Sequence, residues 1–304
     1  YMDAAFCYYL RPMKISKPVQ ADLALIGITF IWGSTFTVVK QSLEHVSPIL
    51  FVALRFWVAT VVLFACMPGQ IRAVSKKTFR QGLVLSLVVL GGFVLQTLGL
   101  RSTDPSLSAF ITSLSVLLVP LLGFLIFHHR PRPQTLAGVI LATVGLFLLL
   151  AHMSELTLRK GDVLTLICAA MFGFQILFLG HFVRTSDYRQ LLLLQMAGTA
   201  IFCSLAVPVF EKPFIVWNAS VAFSLFITGV LATAFALYVQ ARAQRLTTAN
   251  HAALIFSLEP FFAALFAFWI LGQVLTVREW VGGILVLAGI LVSELQLSPG
   301  RKGT

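Results

Sequence analysis

Two ionisable residues stand inside otherwise apolar stretches of the chain, Arg55 and Glu259. A charge at the centre of a membrane helix costs about 2.5–3.5 kcal/mol on insertion scales, so a retained one calls for an explanation. A guanidinium matches a carboxylate in two-pronged geometry. Arg55 is therefore a candidate for capturing a substrate carboxylate; the alternative is an arginine that snorkels to the surface or holds backbone carbonyls. Glu259 is a candidate proton carrier or counter-ion for a substrate amine. Its alternative is a neutral glutamate that hydrogen-bonds a neighbouring helix and steadies a break at Pro260. Gln96, Gln175, Tyr238 and Gln240, with Trp32, form a second tier in the same kind of stretch. Each reads as a cavity-lining, substrate-binding candidate or as an interhelical contact. Trp32 lies mid-stretch, away from the interfaces where aromatic belts form, and offers a flat face for stacking.

Other chemistries lack their patterns. The sequence has no glycine-rich phosphate loop with lysine, no H-E-x-x-H and no G-x-S-x-G. His128 and His129 are adjacent, not at helical metal-ligand spacing. Cys7 lies in the N-terminal tail, and Cys66, Cys168 and Cys203 read as small hydrophobes without ligand spacing. No catalytic residue, cofactor or metal is expected.

The elements that must hold these residues follow from composition. Of 304 residues, 59% are hydrophobic and 11% charged, against about 45–50% and about 25% in a soluble domain. A mean hydropathy of +0.94 describes a chain solvated by lipid. Ten stretches reach the roughly 20 apolar residues that a bilayer-crossing helix needs: 22–40, 48–68, 81–101, 105–127, 134–151, 162–182, 190–210, 217–241, 249–271 and 277–296. They do not alternate apolar and polar residues, which excludes a β-barrel. With the N-terminus inside, fifteen Lys and Arg fall on the cytoplasmic side and six outside, leaving Arg55 within a span. That bias places both termini in the cytoplasm. It also turns the net charge of +11 into a topological rim and not a nucleic-acid patch. Arg55 then lies about 10 Å below the outer end of its span, and His251 reads as an interfacial histidine at the inner end of the ninth. The expected fold class is an all-α membrane protein of ten transmembrane helices.

The chain also repeats itself. A shift of 140 lays Asp22 on Asp162, Gly33 on Gly173 and Pro68 on Pro208. From the third span the shift becomes 144 and lays Gln96 on Gln240, Arg101 on Arg245, Gly138 on Gly282 and Gly145 on Gly289. Each copy holds five spans, an odd number, so the second enters the membrane inverted. The expected organisation is a mobile N-terminal tail over 1–19, repeats over 20–155 and 156–297, and a C-terminal tail over 298–304. Inverted repeats are a recurrent design of secondary transporters, whose halves rock around a site near the midplane. Neither charge is duplicated: Arg55 falls on Gln195, and Glu259 on Ser115. Glycines in the last span of each copy read chiefly as packing, with a dimer face as the alternative.

Several motifs carry a resemblance. Ile31-Trp32-Gly33-Ser34-Thr35-Phe36 is similar to the start of an EamA-type permease domain, and Leu54-Arg55-Phe56 to its LRF element. Thr247 to Leu254 resembles its TSA-x-x-A-x-L element, and Ser257-Leu258-Glu259-Pro260 with Ala263-Ala264-Leu265 its SLEP-x-x-AAL stretch. Gln273 replaces the usual Glu after Leu-Gly, His129 takes that place in the first copy, and Phe172-Gly173 replaces Trp-Gly in the second. Over about residues 20–296 the chain resembles a ten-helix member of the drug/metabolite transporter superfamily. The resemblance implies secondary transport of small metabolites, amino acids or related aromatic compounds, across a prokaryotic inner membrane, commonly outward. Proton-coupled exchange and proton-independent facilitation both remain open. An intramembrane enzyme would need more converging acids or nucleophiles, and a channel would more naturally be built from parallel subunits. Expected partners are a small-molecule substrate and the lipid bilayer, with protons as a candidate co-substrate, no nucleic acid, and a monomer or weak homodimer.

Overall fold

A computed structural model describes residues 17–69, 74–128, 133–150 and 159–294. Of the expected N-terminal tail over 1–19, residues 1–16 lie outside the described residues, as do the tail over 298–304, Cys7 and His129, while 17–19 belong to the first helix. In chain order the helices are α1 (Lys17–Ser42), α2 (Pro48–Cys66), α3 (Lys76–Gly99), α4 (Pro105–Ser113), α5 (Ser115–Phe127), α6 (Pro133–Leu150), α7 (Lys160–Phe182), α8 (Tyr188–Phe210) and α9 (Ala219–Leu225). A π-helical segment follows (Phe226–Phe235), then α10 (Ala236–Ala243), α11 (Ala249–Phe256), α12 (Glu259–Leu271) and α13 (Val277–Glu294). Among the described residues the only β-type pairing is an isolated bridge between Val46 and Ile215.

Among the described residues, seven helical stretches are long and apolar enough to cross a membrane: Val19–Ser42, Pro48–Cys66, Lys76–Gly99, Pro105–Ile126, Lys160–Phe182, Tyr188–Phe210 and Ala219–Ala243. The three other expected stretches carry shorter apolar helices, Leu136–Gly145, Glu259–Leu271 and Trp280–Gly289. Local chemistry sets the ends. Proline in the first turn opens α2 and α4, where its missing N–H costs nothing. Ser75 and Asn218 accept the Thr78 and Val221 amides that would otherwise be orphaned at the starts of α3 and α9. The chain leaves α5 at His128 and α12 at Gly272, both left-handed at φ 57° and 65°; these positions coincide under the 144 shift.

Two expected spans are interrupted: the first corrects the reading of a continuous helix, and the second falls beside Pro260, where the sequence already offered a break. The 105–127 stretch breaks at Leu114, and the 249–271 stretch at Ser257–Leu258. Leu114 and Leu258 are themselves 144 apart. At the second break Pro260 supplies no N–H to the preceding turn. At the first, the Ser113 hydroxyl turns back onto the Phe110 carbonyl at 2.7 Å, a bond that competes with the helical ladder.

Packing follows the duplication. α1 lies against α12, and α7 against α4 and α5. α2 lies against α8, and α6 against α13. The last contact is reciprocal. A Cβ on Gly145 would stand 2.6 Å from the Gly282 carbonyl oxygen, and one on Gly289 would stand 2.5 Å from that of Gly138. Only glycine lets these backbones meet. The glycine-bearing faces are thus turned on each other within the chain.

Candidate functional site

Trp32, Arg55, Gln96, Gln175, Gln240 and Glu259 line one small, partly open cavity, with about 60 Å³ accessible to the centre of a water molecule. Tyr238 does not share it. Tyr238 packs beside Tyr188, with hydroxyls 3.4 Å apart, and faces a separate groove.

The cavity is built from equivalent positions of the two copies. Trp32 lines it with Phe172, and Thr35 with Gln175, at the 140 shift. Phe93 lines it with Leu237, Gln96 with Gln240, Thr112 with Phe256 and Ser115 with Glu259, at the 144 shift. Ser115 and Glu259 each open the helix that resumes after a break, α5 and α12. Exposed backbone amides at such starts favour negative charge. Glu259 has no hydrogen-bond or ion-pair partner among the described residues. Its expected alternative, a bond to a neighbouring helix, is not what the structure places there.

Arg55 is 2% exposed, so it does not snorkel, which overturns that alternative. Its Nε donates to Thr233 Oγ1 at 2.6 Å, and its Cζ lies 4.4 Å from the centre of the Phe93 ring. A cation over an aromatic face is held by the ring quadrupole. With Nε so engaged and the side chain lining the cavity, the paired terminal nitrogens form the part suited to a planar anion.

Both Arg55 and Trp32 depend on the π-helical segment. Widening the turn to i→i+5 displaces carbonyls from their usual donors, and such segments recur at functional sites. Thr233 Oγ1 donates to the Thr228 carbonyl at 2.7 Å while accepting from Arg55. Trp32 Nε1 donates to the Ala232 carbonyl at 2.8 Å, and its ring meets Phe256 edge-on. Gln175 and Gln240 exchange both amide bonds, at 3.3 and 3.2 Å. Gln96 reaches Thr112 Oγ1 at 3.5 Å, a long contact.

Thr35, Thr112, Ser115 and Phe172 were not singled out from sequence, although the repeat shift marks each as the counterpart of another lining residue. Thr233 does not itself line the cavity, and its counterpart Val89, which does, is apolar and so gave no hint of a polar role. Only the π-helical turn brings its hydroxyl to Arg55.

The ends of the bundle are fastened around this cavity. At one end Lys40 Nζ reaches the Leu100 carbonyl at 2.5 Å, at the end of α3. There too, Glu211 caps α2, accepting the Ile49 and Leu50 amides at 3.1 and 2.7 Å. At the other, Ser186 donates to Gln81 at 2.6 Å, and His251 Nε2 lies 3.0 Å from Asp22 Oδ1.

Two stretches, residues 19–151 and 159–295, match the EamA-like transporter family. The chain belongs to that family. An uncharacterized transporter of Archaeoglobus fulgidus is 32% identical over 92% of this chain and 88% of its own length. The uncharacterized transporter YyaM of Bacillus subtilis is 26% identical over 91% and 94%. A probable amino-acid metabolite efflux pump of Salmonella typhimurium is 28% identical over 42% of each chain. One crystal structure superposes with a TM-score of 0.67 at 20% identity, over 90% of this chain and 97% of that one, and so shares the fold.

Proposed function

We propose that this EamA-like protein is a secondary transporter moving amino acids or related aromatic metabolites across the cell inner membrane by alternating access, in the outward direction. The observation that carries the reading is the cavity. It is assembled from equivalent positions of both copies, beside two broken helices, and receives both intramembrane charges. Discontinuous helices at a repeat interface are where secondary transporters place their substrate. In this reading the chain crosses the membrane ten times, as inverted repeats over 20–155 and 156–297, with both termini in the cytoplasm. Arg55 receives the substrate carboxylate. Glu259 receives an amine or carries the exchanged proton. Trp32, Phe172 and Phe256 flank the side chain of the cargo. Outward movement is taken from the likeness to the Salmonella efflux pump. Because the glycine faces of α6 and α13 are engaged with each other, the working unit is a monomer.

The test is uptake and efflux by the purified chain in liposomes, over a panel of amino acids, with and without a pH gradient. Saturable movement of some amino acids, lost in Arg55→Ala protein that still folds, is expected. Absence of transport for every solute, with an intact fold, would overturn the reading. Transport that ignores the pH gradient would assign the proton-independent facilitator.

A further inference from the structure

We propose that the groove between α2 and the π-helical segment seats an anionic phospholipid, its acyl chain between the helices and its phosphate on the arginines at the mouth. The helices touch at Gly229, where a Cβ would stand 2.8 Å from Val58 Cγ1 and 3.2 Å from the Arg55 carbonyl oxygen. Beyond that contact they part. The slot is walled by Val62, Leu63 and Met67 on one side and by Val230, Leu231 and Phe235 on the other. Arg189 and Tyr238 also line it.

Charge argues for what fills it. Arg184, Arg189, Arg242 and Arg245 are exposed at this end of the bundle. Residues 183–189 and 236–246 contain a single carboxylate, Asp187, and its Oδ1 already accepts the Arg189 amide at 2.8 Å. Tyr188 organises the cations. Arg189 Nε donates to its hydroxyl at 3.3 Å, and the Arg245 guanidinium lies over its ring at 5.1 Å. A second, polar hollow lined by Arg184, Arg189 and Arg245 adjoins the slot through Arg189, which belongs to both. A soluble anion would leave the apolar slot uncovered, and a neutral lipid would leave the cations uncompensated. A ligand with an anionic head and a long apolar tail satisfies both, and basic hollows between membrane helices are recognised sites for anionic headgroups.

The position gives such a lipid a consequence. Ala232 and Thr233, which hold Trp32 and Arg55, lie between Leu231 and Ala234, and both of those line the groove. A chain in the slot therefore backs the segment that positions two cavity residues. The proposal requires only that the helices be embedded in lipid; it does not rest on what is transported.

The experiment is native mass spectrometry of the full chain with phosphatidylglycerol or phosphatidylcholine of identical acyl chains. Two arginines facing an anionic headgroup predict an affinity about thirtyfold higher for phosphatidylglycerol. The Arg189→Gln/Arg245→Gln double variant should lose that preference. Val62→Trp, which fills the slot and keeps the arginines, should weaken retention of both lipids. Free glycerol phosphate should compete poorly. Circular dichroism verifies the fold of each variant, and Arg245→Gln alone, expected to show a reduced preference, serves if the double variant fails to fold. Equal retention of the two lipids, or a preference that survives these arginine substitutions, would overturn the proposal. Full competition by glycerol phosphate at matched concentration would replace it with a site for free phosphate.

Discussion

Thr233→Val isolates the link between the π-helical segment and the cavity charge. The substitution keeps the β-branched shape and removes Oγ1, which accepts from Arg55 Nε at 2.6 Å and donates to the Thr228 carbonyl at 2.7 Å. A hydrogen bond involving a charged group is worth about 1.5–3 kcal/mol and a neutral one about 0.5–1.5 kcal/mol. The lost pair therefore amounts to about 2–4.5 kcal/mol before relaxation. The part belonging to Arg55 also frees the guanidinium to leave the position in which it lines the cavity, where the proposed function has it meet a carboxylate. If about 1.4–2.8 kcal/mol of it is felt in binding, affinity for a carboxylate substrate falls about 10- to 100-fold. The assay is equilibrium binding of a transported amino acid and of its amide analogue, which lacks the carboxylate. Thr233→Val should weaken the first and leave the second nearly unchanged. Thr233→Ser, which keeps the hydroxyl, should stay near the unsubstituted chain. Equal losses for acid and amide, or a serine variant as impaired as the valine one, would refute the link.

Three further predictions follow from the same geometry. Glu259→Gln should still bind substrate, and its transport should no longer respond to a pH gradient; an unchanged response in proteoliposomes would remove the proton role. Gln195 is 0% exposed and leaves both amide atoms without a hydrogen-bond partner, so Gln195→Leu should raise the thermal midpoint, by an amount equivalent to about 1–3 kcal/mol, and a lower midpoint would contradict this. Gly289→Leu would place a side chain where a Cβ already stands 2.5 Å from the Gly138 carbonyl oxygen, and should abolish the monodisperse folded peak in size-exclusion chromatography; a normal peak would show that α6 and α13 can part without cost.

The sequence was most informative where periodicity and duplication act together. Long apolar runs dictate helices because lipid offers no partner to an unpaired backbone group. The repeat shift identified Gln96 with Gln240 and Gly145 with Gly289 as equivalent pairs, and the structure sets the first pair on one cavity and the second in one contact. Arg55 and Glu259 stood out by the cost of their charge, and both line that cavity. Tyr238 faces the groove and not the cavity because span membership does not tell which face of a helix a residue occupies; its neighbours Leu237 and Gln240 line the cavity instead. The break at Leu114 was hidden because both halves of its stretch are apolar and in register, whereas Pro260 marks the one at Leu258 in the sequence. Thr233 was hidden for a different reason. Its role depends on an i→i+5 turn that no hydrophobic pattern encodes, and ordinary helical spacing would point it elsewhere.

The central claim, that solute crosses by alternating exposure of one cavity and not through a continuous pore, is tested most directly by counterflow. Liposomes holding the purified chain are loaded with an excess of unlabelled amino acid and diluted into a trace of the labelled compound, with no pH gradient. A carrier predicts transient accumulation of label above its external concentration, which Arg55→Ala should abolish in protein that remains folded. Label that only equilibrates, without overshoot for any amino acid, in vesicles whose protein is folded, would contradict the account.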